Sequence, residues 1–136
     1  MFKKVLVPVA LDHLDVLPAQ IASARQMLAK DGTITALSVL EDLPSYVAEY
    51  AIVQRDPKEL LRSAQESLRS ALKDHPEIAC NVGTGKPGVA IVEAANKMGA
   101  DLIVLAAQRP GSDGYALGST TSRISRRAGC SVLILR

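Results

Sequence analysis

The sequence predicts an α/β fold: a single domain of three layers, α/β/α, in which helices cover both faces of a five-stranded parallel sheet. Short runs dense in Val, Ile and Leu alternate with segments of helical periodicity, in the order β-α-β-α-β-α-β-α-β, and right-handed crossovers turn that order into a parallel sheet. Apolar residues make up 48% of the chain but aromatic residues only 3%, so the core must be built from Val, Ile, Leu and Ala, as suits strands buried on both faces. With 136 residues the chain encloses one core of ordinary size without disulfides or a structural metal, and no linker or internal repeat divides it.

The first strand is Lys4 to Val9 (KVLVPV), a β-branched run too short for a helix. A helix follows from Leu17 to Lys30, with Ile21, Ala24, Met27 and Leu28 at helical spacing and Asp31-Gly32 as its stop. Ile34 to Leu40 (ITALSVL) reads as the second strand, and Glu41 to Asp56 as a loop or short helix. Pro57 has the position of a first-turn proline, opening a helix to about Asp74 with Leu60, Leu61, Ala64, Leu68 and Leu72 on one stripe. Ile78 to Val82 is the third strand, and Pro87 opens a helix over Val89 to Met98 that ends at Gly99. Leu102 to Ala106 is the fourth strand, Ser119 to Ala128 a short helix and Ser131 to Leu135 the last strand. Sheets of this topology bind ligands beyond the carboxyl ends of the strands where the strand order reverses, which directs attention to the loops after the first and fourth strands.

Composition narrows the function. The formal charge is +2, with no Trp, one Phe and three Tyr, so the chain lacks the basic, aromatic-rich surface that stacks on nucleic acid, and no nucleic-acid partner is expected. The opening Met1-Phe2-Lys3-Lys4 and the short apolar run behind it do not form a signal peptide, and no apolar stretch approaches membrane-spanning length, so the expectation is a cytoplasmic protein without a membrane partner. Cys80 and Cys130 have no CxxC spacing and read as small hydrophobes in a reducing compartment, while His13 and His75 belong to no metal-ligating cluster.

Two glycine-rich segments compete as phosphate sites. Gly83-Thr84-Gly85-Lys86-Pro87-Gly88 satisfies GxGxxG, with Asp101 at about the spacing of a ribose-binding acid. It follows the third strand instead of the first, however, and Asp101 precedes a strand where the acid should end one, so a glycine turn feeding a proline-started helix explains the same residues. A P-loop is also excluded, since Pro87 stands where a metal-binding hydroxyl is required. The segment from Ala106 to Thr121 is the stronger candidate: Gly111, Gly114 and Gly118 ease turns that aim N–H groups inward, and Ser119-Thr120-Thr121 begins a helix whose free N–H groups and dipole favour an anion. Arg109 would add a forked cation to that cradle. The competing reading is a surface loop with an ordinary Ser/Thr helix cap. Arg123, Arg126 and Arg127 read as a solvated helix face whose cations complement the dipole.

Four segments in order, KKVLVPV, GKPGVAIVEAANKMGADLIVLAAQ, the GST opening the last helix and the ending AGCSVLILR, together resemble universal stress proteins along nearly the whole chain. The resemblance implies an adenine nucleotide alpha hydrolase-like, Rossmann-like topology, a homodimer formed by pairing the last strands over Val132 to Leu135, and binding of ATP, with or without Mg2+, or its absence in one subclass. Gln108-Arg109-Pro110 followed by Tyr115 to Ser119 most resembles the subclass with a His-Arg-Pro element and a shortened loop. The family's nucleotide signature is GxxG, nine residues, then Gly with Ser or Thr; Gly118 and Ser119 match its second half. Ala106 stands at the first glycine position, Arg109 falls near the second, and the spacer is one residue short. Where the family usually has an Asp after Pro-x of the first strand, this chain has Ala10, with Asp12 two residues later, either reaching a ribose or base from a longer loop or capping a turn. By the same resemblance Val39 lines the adenine pocket.

The leading expectation is therefore a stress-response or regulatory module that binds an adenine nucleotide. Gly118, Ser119 and Thr120 hold phosphates, Arg109 neutralises charge, Ala106, Gln108 and Gly111 shape the loop, and Pro8, Val9, Asp12 and Val39 frame the nucleoside. A nucleotide-free dimeric adaptor is the alternative, favoured by Ala106 and Ala10. A fast enzyme is not expected: no Ser-His-Asp arrangement or metal cluster is present, leaving at most a slow ATPase. A phosphoacceptor receiver, a flavodoxin and an adenylating hydrolase each require loop residues that Gly83-Thr84 and Ala10 to His13 do not supply.

Overall fold

Burial on both faces of the first strand sets the architecture: Val5 and Val7, with Val9 just beyond the strand, turn to one face of the sheet and Leu6 to the other, all of them at most 6% exposed. The computed structural model describes residues 1–41, 56–107 and 117–136. In chain order the elements are β1 (Phe2–Pro8), a 3-10 turn (Leu14–Val16), α1 (Leu17–Met27), β2 (Leu28–Leu40), α2 (Pro57–Ala71), β3 (Ala79–Thr84), α3 (Pro87–Met98), β4 (Leu102–Ala106), α4 (Ser119–Arg127) and β5 (Ser131–Leu135). The five strands lie in the order β3-β2-β1-β4-β5, every neighbouring pair parallel, as the sequence predicts. One core joins Leu17, Ile21 and Ala24 of α1 and Leu68 of α2 to the first face; the other joins Ile91 and Ala95 of α3 and Ile124 of α4 to the second.

One boundary differs substantially. The helix predicted to reach Lys30 ends at Met27, and the chain enters β2 at once, with Leu28 in extended backbone. Asp31-Gly32 lies inside the strand and is not a helix cap. Leu28 pairs with Phe2 and Thr33 with Lys4, so the register shifts over this stretch. A Cβ on Gly32 would stand 2.5 Å from Leu28 Cδ1 and 3.0 Å from the Phe2 carbonyl oxygen. The glycine there admits a close approach of two strands.

The GxGxxG segment takes its structural role. Gly85 has φ 115, conformational space that favours glycine, and its N–H donates to the Leu40 carbonyl at 3.0 Å, after which Pro87 opens α3. A Cβ on Gly88 would come within 2.9 Å of Arg123 Cδ, so this glycine lets α3 and α4 approach. Asp101 sits at the far end of the sheet, where its carboxylate accepts from the N–H groups of Lys3 at 2.8 Å and Lys4 at 2.9 Å. These bonds, Lys3's foremost, hold its pKa below the usual carboxylate value against the opposing pull of burial. Because the folded pKa is the lower one, the contribution to stability is complete above the unfolded carboxyl's value of about 3.9 and is lost as pH falls through the folded value. The stability lead of the parent over Asp101→Asn is expected to shrink between pH 7 and pH 3; urea midpoints at the two pH values measure it.

The two sheet edges are unlike. At the start of β3 the carbonyls of Cys80 and, just before the strand, Ile78 accept from Gln65 Nε2 at 2.8 Å and Arg69 Nη1 at 3.1 Å, both from α2, which covers that end of the edge. On β5 Val132, Leu133, Ile134 and Leu135 are each half-buried at the opposite edge. Cys80 is buried in the first core and Cys130 half-buried against the second, both free thiols whose pKa burial pushes up. Arg123, Arg126 and Arg127 are exposed, as a solvated helix face requires. No helix among the described residues is long and apolar enough to cross a membrane.

Candidate functional site

Strand order reverses between β1 and β4, and that is where the sheet opens. The two strands pair only at Val5↔Leu102 and Leu6↔Ile103. Beyond this seam the Pro8 and Val104 carbonyls would be orphaned, and burying them unpaired would cost stability. Gln20 of α1, 2% exposed, resolves this: its Nε2 donates to the Pro8 carbonyl at 2.9 Å and the Val104 carbonyl at 3.1 Å. The chain beyond β1 is held on its other side by β2, through Val9 N–H to the Leu37 carbonyl at 2.8 Å and buried Ser38 Oγ donating to the Val9 carbonyl at 2.9 Å. A turn closed by His13 N–H on the Ala10 carbonyl, 3.0 Å, then carries Asp12 outward.

Above the seam lies a cleft of about 590 Å3, within the range of small-molecule sites. Its walls differ in chemistry. Leu37, Val39, Ile91 and Leu105 form an apolar wall on the α3 side. Pro8 and Gln20 form a second, on the α1 side, running out to Asp12 and His13, with Glu41 also at the cleft. Thr120 and Thr121, in the first turn of α4, form the third. Asp12 and Glu41 are exposed, and His13 Nε2 stands 3.8 Å from Asp12 Oδ2. Among the described lining residues there are carboxylates but no Lys or Arg, so the α4 N-terminus is the place where an anion is best received.

The start of α4 leaves that place without a capping side chain of its own. Gly118 is its N-cap, so the cap residue itself offers the first-turn N–H groups no side-chain acceptor of the kind a Ser or Asp would provide. At φ −60 and ψ 157 the backbone of Gly118 suits any residue, and a Cβ there would meet nothing within 4 Å among the described atoms. Among the described residues, neither strain nor packing demands a glycine.

Of the residues singled out from the sequence, Pro8, Val9, Asp12, Val39, Ala106 and Thr120 line this one cleft. Gly118 and Ser119 stand at its edge, on the helix start next to Thr120, and do not line it. Gln108, Arg109 and Gly111 lie outside the described residues, as do Pro44, Pro110, Gly114 and Tyr115. Sequence reasoning missed Gln20 and Ser38. The signal for Gln20 was its place on the stripe Leu17, Gln20, Ile21, Ala24, where a polar residue at a core position demands a partner.

The profile of the universal stress protein family matches the chain over residues 1–136. The chain belongs to the universal stress protein family. Universal stress protein G of Shigella flexneri is 28% identical over 142 residues, covering 100% of this chain and 100% of its own. Two solved structures share the fold. A universal stress protein in complex with cAMP is 22% identical with TM-score 0.61, covering 99% of this chain and 97% of its own. The universal stress protein from Archaeoglobus fulgidus in complex with dAMP is 16% identical with TM-score 0.62, covering 98% of each. Against that family background, the Ala10 and Ala106 departures fall at the cleft itself, since both residues line it.

Proposed function

We propose that this universal stress protein binds an adenine nucleotide, ATP being the first to test, in the cleft between the ends of β1 and β4, and that it works as a homodimeric regulatory module instead of a fast enzyme. The observation that carries the reading is the α4 N-terminus at the cleft: Gly118 as N-cap offers no side chain to its first turn, Thr120 and Thr121 line the cleft, and the other described lining holds carboxylates but no Lys or Arg. Phosphate goes to the helix start, the base to the Val39 wall, and carboxylates at the opening take hydroxyl or amine donors. The cAMP and dAMP held by the two proteins of this fold combine an adenine with a phosphate ester, the two features that this division of walls suits.

Dimerisation through Val132 to Leu135 is supported by the edges: α2 bonds to the carbonyls of Ile78 and Cys80 at the start of β3, whereas β5 presents a half-exposed apolar strand at the other end. The nucleotide-free adaptor is the second reading, favoured by Ala10 and Ala106 at the cleft.

Small molecules released from freshly purified protein should include an adenine nucleotide in stoichiometric amount, or calorimetric titration should give a micromolar dissociation constant for ATP. Running the titration with and without magnesium shows whether a cation accompanies the ligand, and phosphate release over hours measures any slow hydrolysis. No bound molecule and no heat up to millimolar ATP would replace this reading with the adaptor.

A further inference from the structure

We propose that Gln20 is a specificity-determining residue of this cleft, its Oε1 accepting a hydrogen bond from a ribose hydroxyl of the bound nucleotide; the proposal rests on the nucleotide-binding reading above. Gln20 is a polar side chain 2% exposed on a helix face otherwise made of Leu17, Ile21 and Ala24, an expensive placement unless its polar atoms are used. Both hydrogens of Nε2 are used, on Pro8 and Val104. Two carbonyl partners can be served only by the NH2 group, so the amide has one possible orientation. What is left is Oε1, which can only accept.

That oxygen belongs to the cleft. Gln20 is among the lining residues, its hydrogen bonds to described residues are the two from Nε2, and no buried side-chain oxygen or nitrogen among the described residues lacks a partner. Oε1 is therefore the atom that Gln20 can still offer to a ligand in the cleft, on an amide whose Nε2 is held by two strands. Three walls then assign the donor. The phosphate lies at the start of α4 and the base against Val39 and Ile91, so the ribose that joins them turns its hydroxyls toward the remaining wall, where Gln20 stands. An acceptor fixed in this way rejects a ligand that lacks the donor, because it would be left unpaired on binding.

The test compares ATP, 2′-deoxy-ATP, 3′-deoxy-ATP and the triphosphate of purine riboside, which lacks the amine, by calorimetry on the whole protein and on Gln20→Met. The parent is expected to bind one deoxy analogue about tenfold or more weakly than ATP. Gln20→Met, similar in length but without a fixed acceptor, should bind ATP and that analogue alike, with circular dichroism confirming its fold. Equal affinity of the parent for ATP and both deoxy analogues overturns the proposal, as does discrimination confined to the amine-lacking analogue or kept intact in Gln20→Met. Equal affinity in the parent series overturns the proposal even if Gln20→Met does not fold, and Gln20→Glu, which keeps an acceptor, then replaces it as the variant, with the discrimination expected to persist. Absence of any ATP binding by the parent is a different failure, of the nucleotide reading itself, and removes this proposal with it.

Discussion

Replacing Gly118 by Asp is expected to abolish adenine-nucleotide binding while leaving the fold at least as stable as the parent. The two effects have opposite signs for one physical reason. An Asp at the N-cap accepts from the first-turn N–H groups of α4 and interacts favourably with the helix dipole, so the helix gains a few tenths of a kcal/mol over glycine. The added carboxylate consumes the donors that a phosphate would use and sets a negative charge beside it. Losing charge-assisted hydrogen bonds and adding repulsion together is expected to weaken binding more than about a hundredfold. The space around the glycine matters here: a Cβ at 118 meets nothing within 4 Å among the described atoms, and an unchanged melt separates lost binding from a distorted helix. Gly118→Ala provides the control, adding bulk without charge, and should lose a little helix stability and much less affinity. Calorimetry and thermal melts on the two variants check both signs; a folded Asp variant that keeps the parent's ATP affinity would place the phosphate elsewhere.

The sequence made the sheet legible because its signals are local and repeated. β4 and β5 have the predicted bounds, Leu102–Ala106 and Ser131–Leu135, since a β-branched run between polar turns has few other readings. Leu28 to Lys30 was misread because Met, Leu, Ala and Lys are good helix formers, and what draws them into β2 is pairing of Leu28 with Phe2, a tertiary contact invisible in the window. The location of the cleft was legible from topology alone: a βαβ order with one reversal puts it beyond β1 and β4 whatever the residues are. Its chemistry was legible only in part. Asp12 and Thr120 could be guessed from residue type and position, but Gln20 acts through carbonyls of two strands 84 residues apart from it at the farther, and no spacing rule connects α1 to Val104. The acidic bias of the described lining was likewise hidden, since Glu41 reaches the cleft through the register of β2.

Truncating Ile103 to Ala is expected to have the largest effect on stability, a loss of about 2–5 kcal/mol. Ile103 is 0% exposed and pairs with Leu6 in the two-residue seam that alone joins β1 to β4 by register. Around it in the second core are Leu105, Ile91 of α3 and Ile124 of α4, residues fixed by two helices and unable to collapse freely into the void. The comparable truncation Leu60→Ala, at a 40% exposed position of α2, removes contacts that solvent already shares and should cost far less, under about 1.5 kcal/mol. Urea denaturation measures both, and a lower midpoint at constant m-value marks a true stability change. The seam also sets where Pro8 and Val104 diverge, and hence the span that the Gln20 amide must bridge. Ile103→Ala should therefore weaken ATP binding as well as stability, although the residue is not part of the cleft lining, whereas Leu60→Ala should leave affinity unchanged. Equal stability losses at the two positions would mean that the seam is not where the two halves of the sheet are held together.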